Sequence, residues 1–213
     1  MTDITKHTAG TASEDGAAGF RFIDAGLLID RELELVIPER RWVEGILAAC
    51  RHPLTAAVDV RFATTGRREL DRFLASAPGG HEPGDAESGR CPSYHFWMHL
   101  RPEYSPAVSM AGCISLRIGH TPDLELYYGH IGYHVYPPAR GRHYAARSSR
   151  LLFDLARHHG IRPLWITTDP ENLASRRTCE LLGGALVDIV DVPRGHALYE
   201  RGQRRKCRYR IDL

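Results

Sequence analysis

Ile131-Gly132-Tyr133-His134-Val135-Tyr136-Pro137-Pro138-Ala139-Arg140-Gly141-Arg142-His143-Tyr144-Ala145 is the stretch on which the fold turns. It predicts a strand, then a tight loop holding one glycine and two arginines, then a long helix over 145–159. The first turn of a helix carries unpaired N–H groups and the positive end of a dipole, which together attract phosphates. The guanidiniums of Arg140 and Arg142 suit bidentate phosphate contacts. A ligand bearing a diphosphate is the first expectation. Along the helix Ala145, Ser149, Leu152 and Ala156 share one face, and residues that small let a helix lie close on a sheet.

Upstream, residues 33–37 alternate apolar and charged side chains as a strand does. Pro38 suits a first helical position, and Trp42, Ile46 and Leu47 form a helical stripe behind it. A second short helix is expected over 69–75, then a long surface loop rich in Gly, Pro and acids over 78–92. Strand-like runs follow at 93–100, 109–118 and 128–136. Downstream of the long helix come a short apolar strand at 163–168 and a helix opened by Asp169-Pro170-Glu171-Asn172 and closed at Gly183-Gly184. Two last strands are expected at 185–192 and 206–213. Residues 1–19 are small and polar without an apolar face and read as a flexible tail, leaving a single domain over 20–213. The order of elements in the second half predicts a mixed α/β sheet.

The 213 residues suffice for one sizeable core. A net charge of +2 sets up no strong field for nucleic acid or a membrane surface. The five cysteines are scattered without C-x-x-C spacing, which argues against a disulfide framework or a thiolate zinc site. No apolar run approaches the roughly 18 residues of a membrane helix, and no signal-peptide core is visible, so a cytoplasmic protein is expected. Twelve histidines invite a metal reading. His130 and His134, however, would lie about 13 Å apart on one strand, too far to share an ion, and no metal is expected. The basic cluster Arg201, Arg204, Arg205, Lys206, Arg208 and Arg210 reads as a loop and a half-solvated strand, not as a nucleic-acid footprint. Residues 94–99, rich in aromatics and histidine, read as a core strand whose alternate side chains could line an acceptor pocket.

Two motifs carry a resemblance. Arg140-Gly141-Arg142-His143-Tyr144-Ala145 is similar to the Q/R-x-x-G-x-G/A diphosphate loop of the GNAT superfamily of acyl-CoA-dependent N-acetyltransferases. Asn172-Leu173-Ala174-Ser175-Arg176-Arg177-Thr178-Cys179-Glu180-Leu181-Leu182-Gly183 is similar to that family's N-x-A-S-x-x-x-x-E-x-x-G helix. The run Gly129-His130-Ile131-Gly132-Tyr133, with Gly183-Gly184, resembles a bacterial branch of it. The likeness implies an acyl-CoA N-acyltransferase fold, a mostly antiparallel sheet of about seven strands flanked by about four helices. It also implies acetyl-CoA as donor, a small-molecule amine as acceptor, and a possible homodimer. Two positions depart from the pattern: His143 stands where the family has its central glycine, and Cys179 where many relatives place a tyrosine that protonates the departing thiolate. Either Gly141 compensates for the first, or His143 itself donates to a phosphate.

Transferring an acetyl group from a thioester to an amine needs a deprotonated amine, a donor for the oxyanion and a proton for the thiolate. The resemblance implies that backbone N–H groups of Tyr133, His134 and Val135 polarise the thioester carbonyl. It implies likewise that Arg140, Gly141, Arg142, His143, Tyr144 and Ala145 hold the diphosphate, and that Asn172 and Ser175 flank the pantetheine arm. The family's usual carboxylate base is missing from the start of this strand. His130, an imidazole near neutrality, is the expected base, with Glu125 second. Cys179 is a candidate acid, with Tyr133 and Tyr144 as alternative proton donors. A protein N-terminal or lysine acetyltransferase is the rival enzyme reading, and a non-catalytic acyl-CoA-binding module the rival outside enzymes.

Overall fold

The computed structural model describes residues 20–85, 89–104 and 106–213, so the tail expected over 1–19 lies outside it. Among these residues eight strands form two antiparallel sheets. The first contains β1 (Leu33–Val36), β2 (His81–Glu82), β3 (Ser93–Leu100), β4 (Met110–Arg117) and β5 (Ile131–Val135), in the order β1-β3-β4-β5 with β2 beside β3. The second contains β6 (Leu164–Thr168), β7 (Ala185–Asp191) and β8 (Arg205–Ile211), in the order β6-β8-β7. Helices α1 (Val43–Arg51), α2 (Pro53–Val58), α3 (Val60–Ala63) and α4 (Arg67–Ser76) lie between β1 and β2. The pair α5 (Tyr144–Leu151) and α6 (Phe153–His158) follows β5, α7 (Leu173–Leu181) follows β6, and α8 (Ala197–Glu200) precedes β8.

Local patterning explains most of this. In α1, Val43, Ile46, Leu47 and Cys50 recur at helical spacing and are all buried. On α5 and α6 the small face Ala145, Ser149, Leu152 and Ala156 is buried, as the spacing predicts. The expected single helix over 145–159 is in fact two, meeting at Leu152, whose ψ of −5° leaves the regular helical range. The stretch 78–92 is more than a loop: His81 and Glu82 pair with Tyr94 and Ser93, and Asp85 bridges Arg90. Residues 124–128 form a wide helical turn, so the strand expected over 128–136 starts only at Ile131. One contiguous buried cluster joins both sheets, from Leu33, Ile46, Met98 and Ile114 to Leu155, Ile166 and Tyr209.

The two sheets meet at a narrow seam. The His130 N–H donates to the Trp165 carbonyl at 2.7 Å. The Trp165 N–H donates back, not to backbone but to the His130 Nδ1 at 2.9 Å. With its Nδ1 lone pair so used, the ring carries its proton on Nε2, which donates to the Gly119 carbonyl at 3.0 Å. The fully buried imidazole therefore acts as a rung between β5 and β6. Gly129 makes the approach possible: its φ is +69°, and a Cβ there would press on the Thr167 nitrogen at 2.8 Å. Beyond the seam β5 and β6 part.

Removing the rung leaves a buried N–H and a buried carbonyl unpaired. His130→Ala should lower the unfolding free energy in urea by about 3 kcal/mol. His130→Asn, whose Oδ1 can accept from Trp165, should lose less. Burial also holds the His130 imidazole below its ordinary value of 6.5, and the His95 ring likewise. The unfolded chain thus binds more protons below that pH, so stability is full above it and falls as pH drops through it. A urea midpoint unchanged between about pH 7.5 and pH 5.5 would contradict this assignment.

Candidate active site

Past the seam, β5 has a partner on one side only. Tyr136 N–H bonds the Ala111 carbonyl, and His134 and Gly132 pair in step with Cys113 and Ser115 of β4. Antiparallel alternation then leaves the N–H groups of Tyr133 and Val135 on the outer edge, facing the gap toward β6. A carbonyl laid along that edge meets ready-made donors.

The loop after β5 completes one end of the gap. Arg140 is held by its Nε on the Val135 carbonyl at 3.0 Å, with Asp59 3.7 Å from its Nη2. Gly141 takes φ +87°, and His143 is left-handed at φ 56°, ψ 26°, the one non-glycine with positive φ among the described residues. The position does demand a glycine-like backbone, and histidine adopts it at a cost of about 1 kcal/mol. α5 begins directly afterwards. No side chain caps its N-terminus, so its first-turn N–H groups lie open to an anion.

These elements enclose a cleft of about 510 Å³. Tyr133, His134, Val135, Arg140, Gly141, His143, Tyr144, Ala145, Asn172 and Ser175 all line it. Arg142, expected with them, is instead exposed and leans toward Glu32, 3.8 Å away, outside the cleft. Asn172 caps α7 by accepting the Ser175 N–H at 3.0 Å. A second cavity of about 460 Å³ continues along β5 and β6. It shares Tyr133, Asn172 and Ser175 with the first and adds Arg117, Gly132, Thr167, Asp169, Arg201, Gln203 and Lys206. The two therefore meet at Tyr133, whose hydroxyl lies 2.8 Å from the Ser175 Oγ. Burial pushes the Tyr133 phenol well above its usual range, so it keeps its proton at any working pH.

The other expected catalytic groups sit elsewhere. His130 is occupied at both ring nitrogens within the seam, which leaves no lone pair for an amine's proton. Glu125 lies on the turn beneath it, pairs with His120 at 3.1 Å, and lines neither cavity. The donors of His120, Glu125 and His130 come within 4.8 Å of one another. Within this group only His120 and Glu125 pair with each other, while the His130 Nε2 donates to the Gly119 carbonyl. Cys179 is buried behind Tyr133, and burial pushes its thiol up to about 12. Residues 94–99 form the core strand β3, but its side chains do not reach the second cavity. In the basic cluster Arg208 pairs with Asp188 and Arg210 with Asp212, each at 2.9 Å. Arg117 and Asp169 carried no local sequence signal; only the pairing of β4 with β5 and the ending of β6 bring them to the cavity.

A strand edge with free N–H groups thus leads into an open helix first turn across a splayed gap. The chain belongs to the GNAT acetyltransferase family: the family description "Acetyltransferase (GNAT) domain" matches residues 43–185. It is an acyltransferase, and acetyl-CoA is its donor. Among solved structures, the microcin C7 self-immunity acetyltransferase MccE, with acetyl-CoA and AMP, is 14% identical with a TM-score of 0.60 over 86% of this chain and 94% of that one. RimL, the ribosomal L7/L12 alpha-N-protein acetyltransferase in complex with coenzyme A, is 15% identical with a TM-score of 0.59 over 88% and 98%. An acetyltransferase from Agrobacterium tumefaciens is 18% identical with a TM-score of 0.54 over 93% and 100%. These likenesses establish the fold. No curated protein matches the chain. No helix among the described residues is long and apolar enough to cross a membrane.

Thiol chemistry offers a direct check on the buried cysteines. Iodoacetamide at about pH 8 should label the partly exposed Cys91 and spare Cys50, Cys179 and Cys207, because only thiolates react and burial raises all three. Rapid labelling of Cys179 in the native protein, read by peptide mass spectrometry, would restore it as a candidate acid.

Proposed function

We propose that this enzyme acetylates the primary amine of a small molecule by direct attack within a ternary complex. The observation that carries the reading is the meeting of two cavities at Tyr133, one shaped for the donor and one left for the acceptor. Acetyl-CoA lies in the first, its diphosphate against the loop 140–145 and the first turn of α5, its pantetheine beside Asn172 and Ser175. The thioester carbonyl points at the edge N–H groups of Tyr133 and Val135, which stabilise the oxyanion. The acceptor enters through the second cavity as the free amine.

Its nitrogen attacks the carbonyl carbon, the tetrahedral intermediate collapses, and the C–S bond breaks. The Tyr133 phenol protonates the departing sulfur, and the proton lost from nitrogen returns to Tyr133 by way of Ser175, so the net transfer is from amine to thiolate. Tyr133 thereby supplies from the strand the phenol that Cys179 cannot supply from the helix; its hydroxyl lies against that thiol. Holding both substrates at one edge provides the bulk of the acceleration, roughly 7–11 kcal/mol for well-oriented pairs. His130 serves as the structural rung and not as the base.

Calorimetric titration should give micromolar acetyl-CoA binding, weakened at least about tenfold in Arg140→Ala, which loses one phosphate contact. Tyr133→Phe should lower kcat about 10²-fold. Turnover should rise with pH along the free-base fraction of the amine, without an inflection near 6.5. Wild-type protein that binds no acetyl-CoA, or a rate that titrates as a histidine, would contradict this scheme.

A further inference from the structure

The second cavity carries a charge that its own walls do not answer. Arg117, the last residue of β4, lies partly buried with its Nη1 donating to the carbonyls of Gly129, at 3.1 Å, and Tyr128, at 3.4 Å. No carboxylate lies within 4 Å of its guanidinium among the described residues, and Nε and Nη2 have no acceptor. Glu82, the acid whose field reaches it, is taken up by His95 at 2.9 Å and by Arg90 at 3.6 Å. The guanidinium sits against Gly132: a Cβ at that position would come 2.9 Å from Nη2 and 3.1 Å from Nη1. Glycine at 132 is thus the space in which Arg117 sits.

The rest of the lining points the same way. Arg201 reaches this cavity without an ion-pair partner among the described residues, whereas Lys206 is neutralised by Asp169 at 2.7 Å. Among the described residues Asp169 is the only carboxylate on the wall, so three cations face one anion there. A guanidinium drawn out of water with three N–H donors unspent is stabilised by an incoming anion, and its planar fork matches a carboxylate or a phosphate. Gly132 and Tyr133 are neighbours on β5 and Val135 lies two residues further on, so the fork is roughly 3 Å from the first oxyanion donor and roughly 10 Å from the second along the strand.

Resting on the acetyltransferase reading above, we propose that Arg117 is the specificity residue of the acceptor site, selecting a small amine that carries a carboxylate or phosphate a few bonds from its nitrogen. The acceptor's anionic group lies on the fork above Gly132, and its amine then falls beside Tyr133 and Ser175, within reach of the thioester. A neutral amine or an uncharged peptide N-terminus leaves the guanidinium unanswered and is discriminated against.

The test uses protein saturated with coenzyme A, so that binding is read without turnover. Protein-observed NMR titrations compare O-phosphoethanolamine with ethanolamine and β-alanine with β-alaninamide, and add inorganic phosphate alone. The anionic member of at least one pair should bind about tenfold tighter or better. That margin should disappear in Arg117→Gln, shrink in Arg117→Lys, and fall in Gly132→Ala, which displaces the fork without touching its charge. Equal binding within both pairs, no response to any anion up to about 10 mM, or a margin that survives Arg117→Gln would overturn the proposal. Coenzyme A affinity measured on the same variants reports their folding. Failure of the wild type to bind coenzyme A at all would count instead against the acetyltransferase reading.

Discussion

Everything functional in this chain depends on how two strands meet and then fail to meet. At His130 and Trp165 the sheets are tied by a backbone hydrogen bond and an imidazole standing in for the second one. One residue pair later there is nothing to continue the ladder, and the strands diverge. An unpaired strand edge is ordinarily a liability. Here it faces inward on a gap, and in the proposed scheme it serves as a row of donors for a thioester. Gly129 allows the close approach on one side of the seam, and the wide turn 124–128 anchors beneath it through the Thr167 hydroxyl on the Tyr127 carbonyl at 2.7 Å.

The donor side is built from cheap parts. Diphosphate recognition needs little more than the open first turn of α5 and a loop tight enough to present it. Gly141 and the left-handed His143 set that loop, and Arg140 braces it against the end of β5. The base of α5 is fixed from the far side by Arg147, whose guanidinium grips Asp30 at 2.6 and 2.8 Å. Beside it the Tyr144 hydroxyl donates to Glu32 at 3.0 Å. A rigid helix start keeps the dipole aimed into the cleft. The second cavity is built differently, from the end of β4, the residues after β6 and the segment before β8, and it carries charge where the first carries backbone.

What could be read in the chain follows from this division. The strand 93–100, the apolar stripe of α1 and the small face of α5 and α6 are local patterns, and local patterns survive folding. The tight loop between β5 and α5 was legible for the same reason, since its residues are contiguous. His130 was misread as a base because its partners, Gly119 and Trp165, lie far away in sequence and only the fold reveals that both its nitrogens are taken. Arg142 was misread because a loop's residue types do not say which of two neighbouring guanidiniums turns outward. Arg117 could not be seen at all: nothing near it in sequence says that Gly132 will sit beneath it. The short helices α2 and α3 and the strand β2 lack the length that makes a period visible, and tertiary contact alone stabilises them.

The central claim is that the unpaired edge of β5 and the first turn of α5 together hold acetyl-CoA. Hydrogen–deuterium exchange with and without acetyl-CoA tests it most directly, because those N–H groups exchange freely when unbonded and slowly when they bind the cofactor. The account predicts protection confined to peptides covering 131–147 and 172–178, with the seam at 129–130 and 164–166 already protected in the free protein. Protection that leaves 131–147 unchanged, or a seam that exchanges freely without ligand, would contradict it.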